Sequence, residues 1–308
     1  MENPHSPSRR EILRLAAGAT AAALMPSALA AAPAQLMRKI PKSGEALPAV
    51  GLGSSRTFDV GTAAVERSAL REVLKLFVEQ GGRVVDSSPM YGEAESVIGD
   101  LAAELGIAGQ VFLATKVWTS GRDAGIRQME ESFKLLRTKR IDLMQVHNLS
   151  DWKTQLKTLR EWKDQGRLRY IGITHYTESA YDDLAKVMQS EDIDFVQFNY
   201  SIAERAAEDR LLPLAHERRI AVLVNRPFAR SGLFEKVRGK TLPPWADEID
   251  CTSWAQFFLK FILGHPAVTC AIPATSKPKH LLDNMQAGLG RQPDAATRER
   301  MARLVAEL

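Results

Sequence analysis

Cysteine is nearly absent: Cys251 and Cys270 are the two in 308 residues. A disulfide-stapled scaffold is therefore excluded, and Cys270, inside the apolar run Ala267–Ile272, reads as a buried core thiol. No Lys/Arg run with interleaved aromatics occurs, so the formal charge of +4 does not indicate nucleic acid. It suits a polyanionic small ligand instead. The six histidines are scattered without ligand spacing, which leaves no metal site to propose. There is no Gly-x-Gly-x-x-Gly behind a strand, so a Rossmann dinucleotide domain is not indicated. The apolar stretch near the N-terminus, broken by Gly18, Thr20 and Pro26, is too short for a membrane anchor.

That N-terminal stretch has a different signature. Ser8-Arg9-Arg10-Glu11-Ile12-Leu13-Arg14 is a twin-arginine pattern, followed by an Ala-rich segment and the small-x-small site Ala28-Leu29-Ala30. Residues 1–30 read as a signal peptide for the twin-arginine (Tat) export machinery, and 31–308 as the mature domain. The expected location is periplasmic or otherwise exported.

The mature chain alternates strand and helix patterns with little interruption. Eight apolar runs are each followed by a helical pattern, with no linker between them. Such alternation implies a parallel sheet, and eight units imply an α/β fold closed as a (β/α)₈ TIM barrel of one domain. A short hairpin around Lys42–Glu45 precedes the first unit and is expected to plug the barrel bottom. Gly51 and Gly53 on the first strand are expected to let a flat ligand approach the backbone.

The polar residues at the strand ends carry the chemistry. Arg83-Val84-Val85-Asp86 is a strand closing in an acid, and Ser87-Ser88-Pro89 then breaks it ahead of Tyr91-Gly92. The next two strands place Lys116 and His147 at corresponding positions. In a parallel β/α protein these ends share one rim, where active sites are built. One polar strand end is unremarkable; Asp86, Tyr91, Lys116 and His147 together are a constellation. A tyrosine with a pKa near 10 is a poor acid at neutral pH. A neighbouring ammonium, anchored by Asp86, is expected to lower it. His147 could hold a carbonyl oxygen.

The pattern resembles the aldo/keto reductase superfamily, whose signature is matched by Asp86, Tyr91-Gly92, Glu95, Thr115-Lys116 and His147, over roughly Leu36 to the C-terminus. The resemblance implies NADPH-dependent reduction of aldehydes or ketones to alcohols, with Tyr91 as general acid tuned by Lys116 and Asp86. It also implies where the cofactor sits, with NADP(H) preferred over NAD(H). Thr174-His175 stands where the family commonly has Ser-Asn, and Gln197 matches the glutamine that bonds the carboxamide. In the slot of a stacking aromatic the chain has Asn225-Arg226-Pro227-Phe228, with Arg226 placed to cover the ring or bond the pyrophosphate. Thr275, Ser276 and Lys277 match the 2′-phosphate segment, His280 replaces a usual arginine, and Asp283 and Asn284 fall at the adenine.

Met90, Phe58, Trp118 and Trp152 are the loop residues expected to line a substrate pocket. A small carbonyl compound is the expected substrate, and a monomer the expected state. A cofactor-bound redox sensor with little turnover is the alternative, since an exported enzyme lacks a supply of fresh reduced cofactor. A sugar-binding or lyase-type barrel would bind no nicotinamide.

Overall fold

The computed structural model describes residues 34–308, and the expected signal segment lies outside them. Strands β1 (Met37–Lys39) and β2 (Ala46–Pro48) pair antiparallel as the expected hairpin. Its Ile40 and Leu47 are wholly buried against Val84, Phe112, Leu143, Tyr170, Phe195 and Leu223. These belong to the first halves of the barrel strands, so the hairpin fills the barrel's lower interior.

The barrel begins at β3 (Leu52–Gly53), followed by α1 (Ala64–Glu79), β4 (Val84–Asp86), α2 (Ala94–Glu104) and β5 (Phe112–Val117). Next come α3 (Arg122–Leu135), β6 (Ile141–His147), α4 (Trp152–Asp164), β7 (Leu168–Thr174) and α5 (Tyr181–Ser190). The final part is β8 (Phe195–Asn199), α6 (Leu211–Glu217), β9 (Ala221–Asn225), α7 (Gly232–Lys236), α8 (Trp254–Leu263), β10 (Cys270–Ala271), α9 (Pro278–Gln286) and α10 (Ala295–Glu307). Strands β3 to β10 form one parallel eight-stranded sheet in chain order. Parallel bridges from Val50 to Ala271 and from Gly53 to Ala274 close it into a barrel. The eightfold alternation thus produces the expected (β/α)₈ architecture.

Sequence period explains the outer layer. In α1 the buried residues are Leu70, Val73, Leu74 and Phe77, one stripe at helical spacing. Burying each contributes roughly 1.5–3 kcal/mol. The helix stops where Gly81 N–H bonds Val78 O and Gly82 N–H bonds Phe77 O.

Two readings change. Between Asn225 and about Cys251 the sequence shows no strand or helix period and a loop is expected, but the segment contains α7 and short 3₁₀ turns. Helix α10 was not anticipated, although Asp294 caps it by accepting from Thr297 N–H at 2.8 Å. Gly53 serves the barrel seam, since a Cβ there would lie 2.8 Å from Ile272 O on the closing strand. Its small size lets β3 meet β10, and Gly53 also lines the cavity at the rim, as expected for close approach of a ligand.

Candidate active site

Parallel register aligns the polar strand ends. Asp86 ends β4, Lys116 is next to last in β5 and His147 ends β6, paired with Thr174 at the end of β7. Thr174 pairs in turn with Gln197 of β8, and Asn199 of β8 with Asn225 of β9. Tyr91 is held in the turn after β4 by its N–H on Ser88 O and its carbonyl on Ala94 N–H. The turn needs Gly92: it has φ +57°, and a Cβ would sit 2.0 Å from Asp59 Oδ1. A cavity of about 630 Å³ opens at this rim. Asp86, Tyr91, Lys116 and His147 all line it, so the four residues singled out from sequence converge.

Lys116 Nζ donates to Asp86 Oδ2 at 2.8 Å and to Ser87 O at 2.6 Å, and lies 5.2 Å from the Tyr91 ring centre. Burial works against the ammonium, but Asp86 and Tyr91 outweigh it and hold its pKa above the ordinary value. Glu95 braces the adjacent Thr115 from behind by accepting from its hydroxyl and, at 3.1 Å, from Ser132 Oγ. Burial raises that carboxyl.

Tyr91 departs from expectation. Burial, the largest influence, raises its pKa, and Asp86 adds to that, whereas Lys116 and Arg226 pull it down. The net direction is upward, so the phenol is held in its acid form rather than poised to ionise. His147 is pushed down to about 3 by burial, then by the charges of Lys116 and His175. It is neutral at physiological pH. Its ring meets Tyr91 edge-on with centroids 6.0 Å apart, and its Nδ1 is 3.0 Å from Ser88 Oγ.

The other wall is polar. Thr174, Gln197 and Arg226 line the cavity as anticipated, and Gln197 Oε1 accepts from Gln145 Nε2 at 3.3 Å, leaving its own amide N–H₂ to face a ligand. His175 does not line it: its ring stacks on Tyr176, and its Nδ1 accepts from Thr177. Tyr176 takes the place in the wall. Arg226 lies over the Tyr176 ring at 4.3 Å and donates to Tyr176 O at 3.2 Å. The loop after β9 runs through positive φ at Arg226, Ala229, Arg230 and Ser231, and is closed by Ala229 N–H on Arg226 O and Ser231 N–H on Phe228 O.

Sequence reasoning missed Arg56 and Arg230, which line the cavity with Arg226. Among the described residues none of these three makes an ion pair. It also missed Asn148 and Asn225, lining residues whose Oδ1 atoms are buried without a partner, and Gln145, whose Oε1 is likewise unpaired. An asparagine directly at a strand end was the available signal for Asn148 and Asn225, and a glutamine two residues before the end of β6 for Gln145.

The segment after β10 lies apart. Thr275, Ser276 and Lys277 precede α9 and His280, Asp283 and Asn284 lie along it, beyond the lining, which ends at Ile272 and Ala274. Thr275 Oγ1 accepts from Lys277 N–H, and Asp283 already accepts from Ser253 Oγ and Gln256 Nε2. Ser276, Lys277 and His280 are exposed.

Of the four substrate candidates, Met90 lines the cavity. Trp118 is exposed at the rim, its ring 6.4 Å from His147. Phe58 and Trp152 are corrections. Phe58, in a turn that returns its N–H to Ser54 O, is wholly buried in the outer core, and Trp152, partly buried, packs against the same core from the start of α4. Among the described residues no His/Cys/Asp/Glu group could hold a metal, and no helix is long and apolar enough to cross a membrane.

The sequence model of the aldo/keto reductase family matches residues 49–299. The chain belongs to the aldo/keto reductase family. By that membership it is an oxidoreductase, and the rim described above is this reductase's candidate site. Among curated relatives, methylglyoxal reductase YeaE of Escherichia coli is 28% identical over 77% of this chain and 84% of its own length. Aldo-keto reductase YhdN of Bacillus subtilis is 27% identical over 61% of this chain, a match spanning 60% of its own length. Among solved structures, a Klebsiella pneumoniae aldo/keto reductase in complex with NADP and acetate superposes with TM-score 0.72 at 23% identity, covering 88% of this chain and 96% of that one.

Proposed function

We propose that this reductase converts a small aldehyde or ketone to its alcohol with NADPH, using Tyr91 as the general acid. The observation that supports this most directly is the convergence of Asp86, Lys116, Tyr91 and His147 on one cavity that also presents three arginines with no ion-pair partner among the described residues.

The residues fit a dinucleotide. Arg56, Arg226 and Arg230 provide charge for a pyrophosphate; the N–H groups of Ala229 and Ser231 are spent within the loop on Arg226 O and Phe228 O, so the side chains carry the contact. The free N–H₂ of Gln197 and the hydroxyl of Thr174 suit a carboxamide. Ser276, Lys277 and His280, exposed at the start of α9, are placed to meet a 2′-phosphate beyond the cavity. When bound, reduced nicotinamide supplies the hydride.

The chain's own residues do the rest. Neutral His147 donates to the carbonyl oxygen and orients it. Tyr91, kept protonated by burial, gives its proton to that oxygen as negative charge develops. Lys116 then lies within reach to stabilise the phenolate, and Asp86 keeps Lys116 charged. Methylglyoxal, from which the Escherichia coli relative takes its name, is a rational first carbonyl to offer.

The test is fluorescence titration of NADPH and NADH, followed by carbonyl-dependent loss of the reduced cofactor. Tyr91→Phe should keep NADPH affinity and lose turnover by on the order of 10²–10⁴-fold. Absence of binding by either nucleotide would sink this reading. Export through the twin-arginine route is part of the proposal. Fractionation of cells expressing the full chain, with Arg9→Lys/Arg10→Lys as control, should find the wild type outside the cytoplasm and the variant within it.

A further inference from the structure

We propose that Ser88 is a positioning residue that sets the tautomer of His147, so that the imidazole presents Nε2–H to the substrate oxygen. Ser88 sits between Asp86 and Tyr91 on the loop after β4, with no exposed surface. Its Oγ lies 3.0 Å from His147 Nδ1 and accepts from Met90 N–H at 3.3 Å. Among the described residues these are the two partners of that hydroxyl.

A hydroxyl has one hydrogen and two lone pairs, and a neutral imidazole has one N–H and one bare nitrogen. Two arrangements are therefore possible. In the first, Ser88 donates to Nδ1 and accepts from Met90. Every group is then satisfied, and the imidazole proton is on Nε2. In the second, Nδ1–H donates to Ser88, whose own hydrogen is left buried without an acceptor. A buried unsatisfied donor is penalised, so the first arrangement prevails.

The consequence is chemical. With Nδ1 taken by Ser88, Nε2 is the nitrogen left to face the cavity that His147 lines. A bare Nε2 would repel a carbonyl oxygen, whereas Nε2–H donates to it without carrying charge. Ser88 therefore acts through His147 and touches no reacting atom.

The proposal relies on the reductase reading for its effect on rate, but not for the tautomer. The test is ¹⁵N–¹H spectroscopy of the full chain labelled at histidine, with the His147 signals identified by their loss in His147→Gln. In the wild type, Nδ1 should show the shift of an unprotonated ring nitrogen and Nε2 that of a protonated one. Ser88→Ala should populate both tautomers and lower kcat about ten-fold, with NADPH affinity close to wild type and a lowered melting temperature, since His147 Nδ1 and Met90 N–H lose their partner. Ser88→Thr, which keeps the hydroxyl, should restore the wild-type pattern. A wild-type His147 protonated on Nδ1, or a Ser88→Ala variant with unchanged tautomer, overturns the proposal whatever the enzyme does. The expected tautomers with no turnover on any carbonyl support it and sink only the reductase reading.

Discussion

The ammonium of Lys116 sits 2.8 Å from Asp86 Oδ2, with the two side chains only 1% and 4% exposed. Two charges held this far from water are tolerable only as a pair. Lys116→Met strands a buried carboxylate and is expected to cost about 3–5 kcal/mol. The double variant Asp86→Asn/Lys116→Met removes both charges and should regain much of that loss. Urea denaturation of the single and double variants measures the difference. A single variant as stable as the wild type would show that water reaches Asp86.

The direction of the Tyr91 shift makes a kinetic prediction. Because the phenol is held above its ordinary value of 10, carbonyl reduction should not lose its proton donor anywhere between pH 6 and 9. Alcohol oxidation needs the phenolate, so it should rise with pH across the same range. Arg226 is one of the two cations that pull the phenol down. Arg226→Met should therefore move the oxidation profile further to alkaline pH while the reduction profile stays flat. Profiles of kcat/KM in both directions check this, and an oxidation profile unmoved by Arg226→Met would remove the arginine from the electrostatics of the acid.

The barrel and its catalytic rim were legible because they are written in local pattern. Eight apolar runs fix the architecture, and a parallel sheet brings every polar strand end to one face, so Asp86, Lys116 and His147 could be placed together. What was hidden depends on loop conformation, which has no period. Arg56 and Arg230 reach the cavity through left-handed backbone that their residue types do not announce. Phe58 and Trp152 were misjudged for the same reason: a loop on the catalytic side can still turn an aromatic ring into the core. The rise in the Tyr91 pKa was illegible as well, since neighbouring charges can be listed from sequence but depth of burial cannot.

Acid should destabilise the fold through its buried imidazoles. His147 is depressed to about 3 and His265 to about 4, both chiefly by burial. The unfolded chain binds protons at these sites near pH 6.5 and the folded chain does not. The stability they lend is complete above that value and is lost as pH falls toward the folded values. For His147 the slope approaches about 1 kcal/mol per pH unit. Melting temperature should thus fall steadily from pH 6.5 to 4, and His147→Gln should make that fall shallower without altering stability at pH 8 by the same mechanism. Parallel slopes in wild type and variant would mean that His147 is protonated in the native state.

The three cavity arginines, without an ion-pair partner among the described residues, predict how the nucleotide is held. Arg56 lies on the loop after β3, whereas Arg226 and Arg230 lie on the loop after β9, so they approach the cavity from strands on either side of the barrel seam. Contacts to phosphate weaken with salt because each exchanges with counterions and is screened over a Debye length of about 8–10 Å. Affinity for NADPH in the wild type should therefore fall as ionic strength rises. Arg56→Ala and Arg230→Ala should each weaken NADPH about ten-fold and make the fall with salt less steep. The equivalent change at Lys277, outside the cavity, should weaken NADPH and leave NADH unaffected, because only the 2′-phosphate distinguishes them. Titrations of both nucleotides at two salt concentrations separate these effects. An Arg230→Ala variant with wild-type affinity and salt dependence would assign the arginines to an anionic substrate instead, and competition by small carboxylates would then be lost in the same variant.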